Sequence, residues 1–408
     1  MTMRKRRIFH SLLVVFLLAS LEILSLAGLH ALEWLRPGSV VELSMARHFR
    51  NKVTPGFLRF FTREWYHPTL GWLRPPLEER ENVNAAGDTW FASTDSLGAR
   101  KDPHQYERLI AATYGDSFTF GHEINNDETW QSTAASQLGG AILNFGVGAY
   151  GILQAVMRAE DHLRAGLVAP ATVLGIYENN LDRTVMAFRP FKYPEARLSL
   201  TFMPTLRLRG DRLVEFRNPW QDPTLTRDEL RQLAISVADY DYWAEYKARI
   251  SFPFTLALLH SSYRAWKGAR RSNDLWNTHE GTAIANALVE RFVTTVRGQG
   301  SLPVILFFPL PKTLRGESPP GYAAVRDSLR RRYADVVILD VNEREFDRRL
   351  FNTLPFEGHA SATGNRVIAA MLVEALADVR PVAFDWSPCE LAPTRLPAAK
   401  PGSPPSGR

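Results

Sequence analysis

The 408-residue chain has one cysteine, Cys389, and it stands in a proline-rich stretch near the end. This excludes an internal disulfide. It also leaves no basis for a cysteine metal site or a thiol nucleophile within the fold. Acidic residues are in slight deficit, 43 against 49 Lys and Arg, for a net charge of +6. The arginines are scattered and no RNA- or DNA-binding signature accompanies them, so no nucleic-acid partner is expected. No internal repeat is visible. With 45% hydrophobic and 23% charged residues, most of the chain reads as globular. The length suits one large α/β domain with additions, or two domains.

The N-terminus carries the longest apolar run. Arg4-Lys5-Arg6-Arg7 precede Ile8 to Leu32, which Glu22 interrupts. As a helix the run is roughly 37 Å long, enough to cross a bilayer with tilt. The basic flank should stay cytoplasmic and everything downstream be exported. Residues 1–32 are therefore expected to be a membrane anchor. The alternative is a cleaved signal peptide, since Glu22 shortens the uncharged core to Ile8–Leu21.

Residues 33–90 are punctuated by Pro and Gly and read as an extended linker followed by short strands or covering loops. A regular alternation follows. Strands are expected at Leu109–Tyr114, Ala141–Phe145, Thr172–Tyr177, Pro303–Phe308 and Val336–Val341. Helices are expected at Glu128–Leu138, Ile152–Ala165, Thr282–Arg297, Ala323–Tyr333 and Ala362–Ala377. That order predicts an α/β fold with a mostly parallel five-stranded sheet and right-handed crossovers. Residues 184–280 interrupt it as an insertion with a hairpin at Gly210-Asp211 and several helices. The aromatic run Tyr240–Tyr246 has the spacing of a helix packed on the core, with stacking on sugar rings as the alternative. Arg and Lys at 264–271 read as a solvated helix face, with contact to anionic lipid near the anchor as the alternative. The tail 385–408 holds six prolines and should be disordered.

In open parallel sheets, functional groups gather beyond the C-terminal ends of the strands. The first expected strand ends in "GDSFTFG" with Ser117, the second in "NFGVGAYG" at 144–151, and the third in "YENNLDR" at 177–183. After the fifth comes "PFEGHASATGNRVIAAML" with His359 just before a helix. A hydroxyl, a small-residue turn, an amide and an imidazole are the parts that acyl transfer needs. Ser117 would attack an ester carbonyl and His359 would take its proton. The oxyanion would meet the N–H of Ser117, an N–H of the 144–151 turn, and the Asn179 side chain. Glu357 could hold the imidazole tautomer. Asp116 reads as a loop-shaping residue and His122 as a solvent-exposed loop histidine, with substrate contact as its alternative. Taken singly, Ser117, Asn179 and His359 are ordinary turn, loop and cap residues. Their joint order argues otherwise.

These four blocks, in this order, resemble those of the SGNH (GDSL) hydrolase family, over roughly 90–180 and 300–378. "DSLGARKD" at 95–102 also resembles the segment before the first block in membrane-anchored bacterial members. The resemblance implies a flavodoxin-like three-layer α/β/α domain at 91–384, carrying the insertion, in the bacterial inner membrane and facing the periplasm or exterior. It implies no cofactor and no metal. By it Ser117 is the nucleophile, His359 the base, and Ser117, Ala149 and Asn179 the oxyanion hole. Three positions depart from the pattern. Ala149 stands where a glycine is usual, which matters if the backbone there needs positive φ. Asn180 replaces an aspartate. Phe356 occupies the usual acid position, which leaves Glu357 as the candidate acid or, alternatively, a Ser-His dyad assisted by a backbone carbonyl. The expected substrate is an acylated small molecule or a polysaccharide, with acetyl the favoured group. An O-acyltransferase using the same site is the alternative, and an inactive polymer-binding scaffold the third reading.

Overall fold

The computed structural model of the protein describes residues 3–83, 87–195, 198–272, 274–310, 313, 316–317, 319–344, 358–384 and 386. The expected disordered tail lies outside them except for Trp386. The longer helices, in chain order, are α1 (Met3–Leu35), α2 (Val41–Lys52), α3 (Pro55–Glu64), α4 (Trp130–Leu138), α5 (Ile152–Arg164), α6 (Arg227–Val237), α7 (Phe254–Ala269), α8 (His279–Gly298), α9 (Ala323–Arg332) and α10 (Ala362–Leu376). The central sheet contains β1 (Arg108–Tyr114), β2 (Ala141–Asn144), β3 (Ala171–Tyr177), β4 (Leu302–Phe308), β5 (Val337–Asp340) and β6 (Val382–Ala383).

Two compact units divide the chain. The second comprises 74–150, 155–178 and 288–408 and holds the sheet. Its five longer strands are parallel and lie in the order 2-1-3-4-5. This is the flavodoxin-like order, an α/β fold as expected. β3 is buried at every position, so its near-continuous apolar run suits a strand covered on both faces. β6 adds two antiparallel residues against the start of β1, which the sequence reading lacked. Each expected strand and helix of this unit is present, with ends shifted by a few residues. α4 starts at Trp130 rather than Glu128 because the Thr129 side chain caps it, accepting from the Ser132 N–H.

The first unit comprises 1–73, 151–154 and 179–287. Here the expectation of an extended linker fails. Residues 41–64 form α2 and α3, with Val41, Met45, His48 and Phe49 buried on one face of α2. Pro37 and Gly38 stand in the turn between α1 and α2, and Pro55 occupies the first turn of α3, where its missing N–H costs nothing. The expected hairpin is present as Thr205–Arg209 paired with Arg212–Phe216. Tyr240–Tyr246, expected to be helical, is instead a series of turns around buried Asp241. The Asp241 carboxylate accepts from the N–H groups of Ala187 (2.6 Å), Phe188 (3.1 Å) and Trp243 (2.8 Å). A side chain that satisfies three backbone donors outcompetes the helix its neighbours would otherwise join.

Candidate active site

β1 delivers a buried apolar strand into a turn with almost no room. A Cβ on Gly115 would lie 2.0 Å from Thr119 Oγ1 and 2.8 Å from the Gly175 carbonyl oxygen, so only glycine fits. Asp116 is wholly buried and its side chain accepts the Phe118 N–H at 3.0 Å. It thus caps the single helical turn Ser117–Phe120, the loop-shaping role expected of it. Gly121, at φ 75°, closes the turn by donating its N–H to the Ser117 carbonyl. Ser117 is held at the end of β1 by constraints on both sides.

The second loop is tied to the first. The Phe145 N–H donates to the Thr113 carbonyl at 2.8 Å, and the Val147 N–H to that of Gly115 at 3.0 Å. Gly146 lies so close to the Ser117 turn that a Cβ would meet the Phe120 nitrogen at 2.3 Å. Ala149 has φ 72°. The position therefore does use the left-handed backbone that favours glycine, and alanine occupies it with strain.

His359 arrives from the other end of the chain, just before α10, whose N-terminus Ser361 caps. Its Nε2 lies 2.9 Å from Ser117 Oγ, a normal hydrogen-bond separation. For the serine to donate, Nε2 must be unprotonated and Nδ1 must carry the proton. Nδ1 is buried with no hydrogen-bond partner among the described residues. Among the described residues the charge facing it is Glu123, whose Oε1 is 3.6 Å away. Its Oε2 accepts the backbone N–H of His359 at 3.4 Å. At 3.6 Å the first contact is an ion pair in waiting rather than a hydrogen bond, and it becomes attractive once the ring is protonated. The ring packs on Phe118, with centroids 5.1 Å apart, and on His122 at 4.9 Å. His122 is thus half-buried between Trp90 and His359, which corrects its reading as a solvent-exposed residue.

Glu123 has φ 70°, unusual for a non-glycine residue. A buried guanidinium holds its loop. Arg100 donates to the carbonyls of Phe120 (2.7 Å), Gly121 and Ile124, and to Asn126 Oδ1 at 3.0 Å. Burial pulls Arg100 down to about 9, still above neutral pH, so it remains a cation. A planar fork reaching several carbonyls at once is a task for arginine and not for lysine. The motif resemblance marked the segment around Arg100, but neither Arg100 nor Glu123 was singled out. Nothing in the sequence next to Glu123 separates it from any other loop acid.

Ser117 and His359 are therefore brought together as expected. Glu357, the expected orienting acid, lies outside the described residues. Asn179 directly follows Glu178 at the C-terminal end of β3 and leads into the short helix Asn180–Thr184, without using its side chain as a cap. Glu178 fastens that strand end. Its carboxylate accepts from the N–H groups of Leu310 at 3.1 Å and Gly321 at 3.2 Å. Among the described residues no cluster of His, Cys, Asp and Glu could hold a metal ion.

The sequence matches no protein-family profile and no curated protein. Solved structures similar to the chain include a member of the lipolytic G-D-S-L family from Veillonella parvula, 9% identical with a TM-score of 0.35, covering 66% of this chain and 98% of that one. Another is a carbohydrate esterase family 2 enzyme with a carbohydrate-binding domain from Corynascus thermopiles, 10% identical with a TM-score of 0.35, covering 73% and 74%. A third is a salicylyl-acyltransferase of a tetracycline biosynthetic pathway, 14% identical with a TM-score of 0.33, covering 69% and 58%. Similarity this low does not speak to activity.

Proposed function

We propose that the chain is a membrane-anchored serine esterase of the SGNH type, which removes acyl groups, acetyl foremost, from an extracytoplasmic carbohydrate or polymer. The observation that carries the chemistry is the 2.9 Å separation of Ser117 Oγ and His359 Nε2. As Oγ attacks the ester carbonyl carbon, its proton passes to Nε2 and the carbonyl becomes an oxyanion. The N–H groups of Ser117 and Ala149 and the Asn179 amide receive that charge. Collapse breaks the bond to the leaving oxygen, which takes the proton back from His359. Water then attacks the acyl-serine by the same route in reverse. Glu123 stabilises the imidazolium formed in each half.

The anchor reading rests on α1. It is long and apolar enough to cross a membrane, and its large apolar side chains from Ile8 to Leu24 are exposed. The polymer substrate is suggested by an exported, tethered position.

Full-length protein in detergent should hydrolyse p-nitrophenyl acetate, and Ser117→Ala should abolish the activity. Equal rates for the two proteins would end the serine mechanism. Partition of the acetyl group between water and an added oligosaccharide would decide between hydrolysis and transfer.

A further inference from the structure

Glu22 interrupts the apolar run of α1, yet it does not lie idle. Its carboxylate accepts the N–H groups of Phe254 and Thr255, the first residues of α7. Ser25 Oγ sits 3.2 Å from Thr255 Oγ1, and Gly28 lies against Leu258, which a Cβ there would meet at 3.4 Å. Contacts at 22, 25 and 28 with 254, 255 and 258 mean that the two helices run side by side in the same direction.

α7 presents an apolar stripe that no described residue covers. Leu256, Leu259, Tyr263 and Trp266 are 52%, 62%, 55% and 51% exposed, at a spacing that places them on one face, and Phe252 just before the helix is 76% exposed. The chemistry changes along the helix in order. The aliphatic end lies beside Glu22, the aromatic pair comes next, and cations follow. Lys267 lies over the Tyr263 ring (5.1 Å) and Arg270 over that of Trp266 (3.9 Å).

We propose that α7 is a second membrane-inserted element, dipping its N-terminal half into the outer-facing leaflet beside α1. The proposal rests on the reading of α1 as a membrane span. Measured from Ile8, a hydrocarbon core of about 30 Å ends near Gly28, the level of Leu258. Phe252 and Leu256 then meet acyl chains, and Leu259 sits at their outer edge. Tyr263 and Trp266, about 7 and 12 Å further along the helix axis, fall in the headgroup zone where such rings concentrate. Lys267 and Arg270 reach lipid phosphates. The Glu22 contact supports this placement independently. A lone carboxylate and an uncapped helix N-terminus are each costly in hydrocarbon, and here each satisfies the other. The partner is a phospholipid surface with anionic headgroups.

The test uses the full chain with its single cysteine removed (Cys389→Ser), reconstituted in vesicles of phosphatidylethanolamine and phosphatidylglycerol. Nitroxide labels are placed singly through Leu256→Cys, Leu259→Cys, Val15→Cys in α1, and Gln232→Cys on α6. Collisional accessibility to oxygen is compared with that to a water-soluble nickel chelate. Labels at 256, 259 and 15 should favour oxygen and the label at 232 nickel. Nickel access at 256 and 259 with oxygen access at 15 would overturn the proposal while leaving the anchor intact. Nickel access at 15 would overturn the anchor reading and the proposal with it. Spin–spin broadening at 259 that vanishes on dilution with unlabelled protein would assign the stripe to a second copy of the chain and overturn the lipid assignment.

Discussion

Glu123 Oε1 stands 3.6 Å from Nδ1 of His359, and it comes from the loop that begins four residues after Ser117. An acid on the loop that follows Ser117 moves with it, so in the proposed mechanism the serine and the charge behind the imidazole are positioned by one set of constraints. Glu123→Gln keeps the shape and removes the charge. It should lower kcat by about 10²-fold with little change in KM, the scale on which general-base catalysis contributes. Glu357→Gln should leave kcat within a few-fold of wild type. Steady-state kinetics on p-nitrophenyl acetate check both. The reverse ranking would return the acid role to Glu357.

Arg100 touches no reacting atom in the proposed mechanism. Its part is to hold the loop that carries Glu123. Arg100→Lys keeps the charge but cannot serve the Phe120, Gly121 and Ile124 carbonyls together. The cost should be about 2–4 kcal/mol, because hydrogen bonds to charged groups are worth more than neutral ones and the orphaned carbonyls are buried. Thermal melts read the loss. In the folded fraction kcat should fall more than KM rises, since the loop's geometry is disturbed and no substrate contact is removed. An unchanged melting temperature would show that the loop holds its shape without the guanidinium.

Ala149 offers a gain. At φ 72° an L-residue is strained by about 1–2 kcal/mol relative to glycine. Glycine returns part of that through its looser unfolded state. Ala149→Gly should therefore raise stability slightly or leave it unchanged, with esterase activity retained because the backbone N–H remains. Ala149→Val should lower the melting temperature clearly. A destabilised Gly variant would show that the alanine methyl packs to an advantage exceeding the strain.

Much of this was legible in the sequence, and the misses share a physical cause. The sheet declared itself through short apolar runs bounded by small polar turns, because a strand covered on both faces has little choice of composition. Ser117 and His359 could be paired because parallel topology brings the C-terminal ends of all five strands to one edge. Glu123 was not legible. Its role follows from a left-handed backbone and a buried arginine 23 positions earlier, and neither leaves a local signature. Tyr240–Tyr246 went wrong for the same reason, since Asp241 gathers donors from 187 and 188 that no window around 241 contains. In α2, four-residue spacing of Val41, Met45 and Phe49 was present but was masked by the prolines and glycines at its ends.

His162 links pH to the stability of the sheet. It lies buried with Nδ1 3.1 Å from the Tyr114 hydroxyl and its ring 4.2 Å from that of Phe145. Burial holds it well below the ordinary 6.5, and the nearby Arg158 charge pushes the same way. The unfolded chain therefore binds this proton more readily than the folded one. The contribution of His162 to stability is complete above about pH 6.5 and falls as the pH drops toward the folded value, by at most ~1.4 kcal/mol per pH unit. His48 is also lowered by burial and adds a slope of the same sign. His162→Phe removes the titrating group and leaves the Tyr114 hydroxyl without this partner, so it should melt lower than wild type at about pH 8, by the scale of one orphaned buried polar group. Between about pH 7 and pH 5, however, its melting temperature should fall less steeply than that of the wild type. Parallel slopes for the two proteins would show that His162 takes up its proton without cost in the folded state.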